Sequence, residues 1–167
     1  MVQPCLTSLS DARAIGWIGG SEHRVILDGD MTDGRLTVMR SRLRAGSASP
    51  VHIHPNEDET IVLLSGEMVI WAGTDKWTAA EGDTVFLVRG IPHTYTVLAD
   101  ADLLTICTPS GMERFFERAG WDLSQGAPPE DWSVTRKALQ DAATAGGQIV
   151  LGPPLAPDDE MPQTFVS

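Results

Sequence analysis

Short runs of apolar residues, separated by Gly, Asp and Pro, dominate the chain from about Arg24 to Thr108. Residues 35–43 alternate between apolar and polar side chains, as a half-buried strand does, whereas residues 60–64 are apolar almost throughout. The other runs lie at 67–71, 76–79, 84–88, 94–98 and 102–107. About eight short strands, spaced by roughly 8–12 residues and joined by turn residues, indicate an antiparallel sandwich or barrel.

Two local patterns predict how these strands turn and bend. Ser65-Gly66 falls between two apolar runs, which predicts a hairpin turn at this position. Leu36, Val38 and Met39 compete for the inner face of one strand, which predicts a β-bulge near Met39.

The pattern changes after Thr108, where helical signals replace the strand signals. Ser110 and Glu113 have the spacing of a capping box, so we expect a helix over residues 112–119 that ends at Gly120. A second helix is predicted to start after Asp131 or Ser133 and to run to about Ala145; the Pro-rich residues after Gly152 are expected to be irregular. We therefore predict an N-terminal segment (1–23) that is part of the barrel or packs on it, a β-barrel (24–108) and a helical extension with a Pro-rich tail (109–167).

Composition and charge exclude several classes of function. The 167 residues carry 12 Lys and Arg against 23 Asp and Glu, a net charge of −11, which argues against nucleic acid or an anionic membrane surface as the partner. The N-terminus has neither a basic region nor a long apolar stretch, so no secretory signal is predicted and we expect a cytoplasmic protein. Cys5 and Cys107 are expected to be unpaired.

Three of the four histidines lie in or beside the strand region. His52 and His54 are two positions apart, so in a strand both side chains leave the same face; Glu59 and His93 each begin a further strand. Three imidazoles and one carboxylate from neighbouring strands suit a divalent transition metal and leave one or two coordination positions for water or substrate. The alternatives are ordinary hydrogen-bonded histidines and, at Glu57 and Asp58, a solvated acidic corner.

The spacing of these residues resembles the two motifs of the cupin superfamily. Gly46-(5 residues)-His52-x-His54-(4 residues)-Glu59-(6 residues)-Gly66 agrees with the first motif at every fixed position. Gly82-Asp83-(4 residues)-Val88-x-Gly90-(2 residues)-His93-(3 residues)-Val97 resembles the second, with Val88 in place of the usual Pro and Val97 in place of the usual Asn. The resemblance implies a small double-sheet jelly-roll β-barrel with a short C-terminal helical extension. It also implies one divalent transition metal per chain (Fe, Ni, Mn, Co, Cu or Zn), with His52, His54, Glu59 and His93 as its ligands.

A narrower resemblance extends beyond the barrel, to bacterial single-domain cupins of the quercetin 2,3-dioxygenase-like type. It rests on Gly46-Ser-Ala-Ser-Pro50, on Thr108-Pro-Ser-Gly-Met-Glu-Arg-Phe-Phe116 and on Ile149-Val-Leu-Gly-Pro-Pro154. It implies a metal-dependent dioxygenase that cleaves a flavonol-like or other enolisable or phenolic small molecule, with Glu59 as the catalytic base. The alternatives are a cupin isomerase, decarboxylase or lyase that uses the metal as a Lewis acid, and a non-enzymatic ligand-binding cupin.

Inward-facing strand residues are the candidates for contact with a substrate. We expect Tyr95, Phe86 and Met68 to contribute; Tyr95 shares the face of His93 because it lies two positions along the strand. Phe115 and Phe116 are expected to dock the first helix on the barrel or on a second subunit. A homodimer is expected as well, since pairing of barrel edges covers exposed strands. The expected partners are thus a small molecule, with dioxygen if the protein is a dioxygenase, and a second copy of the chain.

Overall fold

The structure, a computed structural model, describes residues 3–166; Met1, Val2 and Ser167, at the ends of the predicted N-terminal segment and tail, lie outside the described residues. The strands are β1 (Arg13–Trp17), β2 (Ser21–Leu27), β3 (Thr37–Leu43), β4 (Val51–Ile53), β5 (Asp58–Ala72), β6 (Asp75–Ala80), β7 (Thr84–Leu87), β8 (His93–Thr108), β9 (Trp121–Asp122) and β10 (Ile149–Gly152). The helices are α1 (Gly29–Thr32), α2 (Glu113–Ala119), α3 (Arg136–Ala145) and α4 (Gln163–Val166), with 3-10 turns at Ile18–Gly20 and Leu123–Gln125. Within the described part of the chain, each helix is too short or too polar to span a bilayer.

Two long antiparallel strands, β5 and β8, pair along most of their length and belong to both layers of the barrel. The first half of β5 and the second half of β8 continue through β3, β2, β1 and β9 on one side and β7 on the other. Their other halves continue through β4 and β10 on one side and β6 on the other. This arrangement confirms the double-sheet jelly-roll barrel.

The bend that joins the two halves of β5 lies at Gly66. Gly66 has a φ of +95°, and a Cβ there would collide with the backbone carbonyl oxygen of Asp100 on β8. The register of β5 against β8 shifts between Leu63 and Met68. The predicted hairpin turn is therefore wrong: Ser65-Gly66 is a corner inside one continuous strand, because β8 pairs with the chain on both sides of it. Residues 94–98 and 102–107, predicted as two strands, are likewise parts of β8.

Of the three apolar residues that could face the barrel interior from β3, Met39 is the one that does. Met39 is 1 % exposed, whereas Leu36 and Val38 are only half-buried. The irregularity near Met39 lies on the neighbouring strand, where the register of β2 shifts between Val25 and Leu27.

The residues after the barrel pack back onto it. Helix α2 is confirmed, but Ser110 does not cap it; the Glu113 carboxylate instead accepts hydrogen bonds from the backbone N–H groups of Gly111 and Gly29. Helix α3 ends at Ala145 as predicted, and Thr135 caps its start rather than Asp131 or Ser133.

The Pro-rich tail is more ordered than predicted. Strand β10 pairs with β4, and α4 closes the described part of the chain. Leu155 and Met161 are buried against Trp71, whose indole N–H donates to the carbonyl of Asp159.

Candidate metal centre

The barrel brings the four predicted ligands together at one place. His52 lies on β4 opposite His93, the first residue of β8, and His54 follows directly after β4. Glu59 lies near the start of β5, which pairs with β8. One ligand atom from each of the four lies within 4.8 Å of the others, and all four residues are buried.

The Nδ1 atoms of the three histidines have fixed partners, which sets their tautomers. His52 Nδ1 lies 2.8 Å from the carbonyl oxygen of Pro50, and His93 Nδ1 lies 2.9 Å from that of Ile91. A carbonyl only accepts, so these Nδ1 atoms carry the proton and donate it. His54 Nδ1 donates to a carboxylate oxygen of Glu57 at 3.0 Å. In the neutral form, each ring therefore presents an unprotonated Nε2.

The three Nε2 atoms and the Glu59 carboxylate form a set of electron-pair donors that suits a cation. Nε2 of His52 and Nε2 of His54 are 3.0 Å apart, so when both rings are neutral their lone pairs face each other. Oε2 of Glu59 lies 3.7 Å from His54 Nε2 and 3.4 Å from His93 Nε2. Among residues 3–166, no hydrogen-bond partner meets His93 Nε2. A divalent transition metal fits this arrangement, because it accepts all four donors at once.

Burial and neighbouring charges set the ionisation of the site. Burial, reinforced by the adjacent imidazoles of His93 and His54, lowers the pKa of His52 to about 3. Burial alone raises the pKa of Glu59, but the close contact with His93 and the other two imidazoles outweigh it and lower the pKa to about 2. A neutral His52 and an ionised Glu59 are the protonation states that bind a metal.

Glu57 is a residue of the candidate site that the sequence reasoning did not place there. It is buried and hydrogen-bonded to His54, so it orients that ring and increases its basicity. Burial lowers the pKa of His54, and the hydrogen bond to Glu57 and the charges of Glu59 and Glu57 outweigh this and raise it. Asp58 differs from its neighbour: it pairs with Arg89 near the surface, at 2.6 Å. The alternative interpretation of both residues as a solvated acidic corner thus fits Asp58 and does not fit the buried Glu57.

The four predicted ligands line one cavity of about 230 Å³. Its wall is largely apolar, with aliphatic side chains from the strands and aromatic side chains at one part of the wall. Residues that contribute to it include Leu43, Ile61, Ile70, Leu87, Leu103, Met112 and Leu139.

Of the three predicted substrate contacts, the structure brings only Tyr95 to this cavity. Burial and the charge of Glu59 raise the pKa of Tyr95, so its hydroxyl stays protonated. Phe86 is 59 % exposed and faces away from the barrel interior, because the alternation along β7 turns its neighbour Leu87 inward instead. Met68 is fully buried within the barrel core and does not line the cavity, whereas Ile70 does.

Residues from outside the predicted barrel motifs complete the cavity. Trp17 precedes the turn between β1 and β2, His23 lies on β2, and Phe115 and Phe116 belong to α2. Phe115 and Phe116 each contact Trp17, with ring centroids 5.4 and 5.1 Å away. The predicted docking of α2 on the barrel is correct, and the same contacts build one wall of the cavity.

Comparison with known proteins agrees with this fold. Residues 39–109 match the Cupin domain family, whereas no curated protein matches the sequence significantly. A predicted oxalate decarboxylase from Thermotoga maritima superposes with a TM-score of 0.57 at 20 % identity, over 63 % of this chain and 99 % of that one. An RmlC-like cupin from Shewanella frigidimarina gives 0.56 at 17 % identity, over 68 % and 98 %.

The polyketide cyclase RemF from Streptomyces resistomycificus also has this fold, with a TM-score of 0.54 at 17 % identity, over 65 % of this chain and 81 % of that one. At such identities, the likeness concerns the fold alone. The domain match over residues 39–109 and the jelly-roll barrel show a cupin fold, and the buried cluster of three histidines and one glutamate is a candidate metal site.

Proposed function

We propose that this protein is a metal-dependent dioxygenase that cleaves a compact phenolic or enolisable molecule. The observation that carries the proposal is the combination of His52, His54, Glu59 and His93 with the largely apolar cavity that they line. Such a cavity binds a ring or an alkyl body by burying its apolar surface, while the donor set fixes one oxygen.

The lining of the cavity narrows the class of substrate. Among the described residues that line it, none is Lys or Arg. A dicarboxylate or a sugar phosphate would leave charge buried without a partner, which costs several kcal/mol. The proposal therefore favours a neutral molecule that becomes an anion only at the oxygen that meets the metal.

The size of the cavity restricts the class of substrate further. At about 230 Å³ it lies below the roughly 300–1,000 Å³ of pockets for drug-sized ligands. A one-ring phenol or a short diketone suits this volume better than a three-ring flavonol does.

Glu59, the metal and the apolar wall of the cavity each have a proposed role in the reaction. Glu59 accepts the hydroxyl proton of the bound substrate at a carboxylate oxygen, because it is ionised and lies beside the three imidazoles. The metal, when bound, supplies the positive charge that stabilises the deprotonated oxygen. The apolar wall excludes water from the electron-rich ring. Both atoms of dioxygen enter the cleaved product, so no external reductant is needed.

Oxygen consumption tests this proposal directly. Metal-loaded protein is mixed with a panel of catechols, 1,3-diketones and flavonols in an oxygen electrode, and the products are identified by mass spectrometry. We expect uptake of one dioxygen per molecule of a compact catechol or diketone. Cleavage of a catechol ring should give one product heavier by two oxygen atoms, and cleavage of an open-chain diketone should give two fragments that together contain both atoms. Glu59→Gln is the matched variant, since it keeps the shape of the side chain but cannot accept the proton. Absence of uptake with every member of the panel refutes the dioxygenase.

A proton-transfer reaction without dioxygen is the second candidate. The ionised Glu59 and the protonated Tyr95 line the same cavity and form a base and acid pair, which an isomerase or lyase requires. The same panel under argon separates the two: substrate consumption without oxygen favours the isomerase or lyase.

A further inference from the structure

His23, the only histidine outside the metal centre, also lies on the cavity wall. It belongs to β2, is 2 % exposed and lines the cavity beside Ser41, its partner on β3. His23 Nδ1 and the Ser41 hydroxyl oxygen are 2.8 Å apart and hydrogen-bonded. The Nε2 atom of His23 has no hydrogen-bond partner among residues 3–166.

Because the ring is packed among aromatic side chains, leaving Nε2 of His23 without a hydrogen bond costs free energy. The His23 ring centroid lies 3.9 Å from that of Phe116 and 5.9 Å from that of Trp17. A buried polar atom without a partner costs about 1–3 kcal/mol. Burial also lowers the pKa of His23 to about 3, so the ring is neutral near pH 7 and Nε2 offers one donor or one acceptor.

Neither the metal centre nor the core requires a polar atom here. His23 is not part of the four-residue ligand cluster, and its strand is separated from β8 by β3. Nδ1 is engaged by Ser41, so Nε2 is the atom that the ring has left for a molecule in the cavity.

We propose that His23 is a second polar anchor for the substrate, in which Nε2 hydrogen-bonds an oxygen other than the one that meets the metal. Ser41 is then the positioning residue that holds the ring and its tautomer. The inference rests on the proposed function and refines its substrate class: a compact phenol or enol whose otherwise apolar body carries a hydroxyl or carbonyl oxygen beyond those that reach the metal.

Three catechols of equal size test this anchor. 4-Ethylcatechol, 3,4-dihydroxybenzyl alcohol and 3,4-dihydroxybenzaldehyde share the two ring hydroxyls that would reach the metal. Their two-atom substituents differ in whether they carry an oxygen and whether that oxygen can donate; the aldehyde also makes the ring hydroxyls more acidic, so each probe is compared between the native protein and His23→Phe. Their affinities for zinc-loaded protein are measured by titration calorimetry under argon, where no turnover interferes. The native protein, His23→Phe, His23→Gln and Ser41→Ala are compared at equal zinc content.

We expect the native protein to bind at least one of the two oxygenated probes about tenfold more tightly than 4-ethylcatechol, as one buried hydrogen bond implies. His23→Phe keeps an aromatic ring and should abolish this preference, whereas His23→Gln keeps an amide and should retain part of it. Ser41→Ala should reduce the preference, because the imidazole is no longer held. A merely structural role of His23 would instead weaken all three probes by the same factor.

The failures of the two proposals are distinguishable. Equal affinity of the native protein for all three probes, or an unchanged preference in His23→Phe, refutes the anchor and leaves the phenol-binding site standing. Absence of binding by any of the three catechols refutes the phenolic substrate class and the anchor with it.

Discussion

Glu57 provides the sharpest test of how the metal centre is built. Its carboxylate accepts the Nδ1–H of His54 at 3.0 Å and is buried, so it both aims the ring and adds negative charge behind it. Glu57→Gln preserves the shape and an acceptor oxygen but removes the charge. Glu57→Ala removes the hydrogen bond as well and leaves the buried Nδ1–H without a partner.

The expected loss of metal affinity follows from these contacts. Loss of an outer hydrogen-bond partner of a metal-ligating histidine costs about 10–100-fold in metal affinity. We expect Glu57→Gln to lie near tenfold, about 1.4 kcal/mol, and Glu57→Ala near a hundredfold, about 2.7 kcal/mol. The order reflects the loss of charge alone in the first variant and of charge plus hydrogen bond in the second.

Competition between the protein and a chromophoric chelator for zinc or nickel measures the affinity. The control is Asp58→Asn, which removes one negative charge from the adjacent position, where the carboxylate pairs with Arg89 instead of a metal ligand. Its affinity should stay within about threefold of the native value, because exposed charges are screened. An unchanged affinity in Glu57→Ala, or an equal loss in Asp58→Asn, refutes the assigned role of Glu57.

Three further perturbations test the fold around the site. Gly66→Ala should lower the free energy of unfolding by about 3 kcal/mol or more, because a Cβ at this left-handed φ collides with β8. Denaturant titration measures this free energy. A loss below about 1 kcal/mol contradicts the interpretation of Gly66 as a corner of β5. Gly111→Ala should lower metal affinity up to about tenfold, because the new Cβ would contact the Glu57 carboxylate that orients His54. An unchanged affinity in the chelator assay refutes this link between Gly111 and the metal ligands. The hydrogen bonds from Arg40 lower the pKa of Asp102, so this pair stabilises the fold above the ordinary carboxyl pKa and loses that effect as the pH falls below it. Asp102→Asn should thus cost about 1 kcal/mol at pH 7 and progressively less as the pH falls below the ordinary carboxyl pKa; a cost independent of pH contradicts the pairing.

The ligand residues could be predicted from the sequence because local patterns and the resemblance to the two cupin motifs agree. His52 and His54 are two positions apart around a strand, so they share a face; that Glu59 and His93 meet them at one point is what the motif spacing implied. Strand alternation and turn residues located β3, β6, β7 and the halves of β5 and β8 to within a few residues, but they did not locate β1, β9 or β10.

The features that these local rules did not predict depend on contacts between distant parts of the chain. Gly66 is a corner rather than a hairpin turn because β8 runs past it on the other side, which no local pattern reveals. Phe86 and Leu87 are equally apolar, and only the register of β7 against β5 turns Leu87 inward. Trp17 and Phe115 come from distant parts of the chain and meet at the cavity wall. The homodimer, which depends on a second chain, stays a prediction.

The metal content of the protein tests the central claim most directly. Untagged native protein, the His52→Ala/His54→Ala double variant and His23→Phe are purified in parallel, and bound metals are quantified by elemental analysis. One divalent transition metal ion per chain is expected in the native protein and in His23→Phe, which alters the histidine outside the cluster, and none in the double variant. Equal metal content in the native protein and the double variant, or absence of metal from native protein after incubation with each candidate ion, contradicts the site.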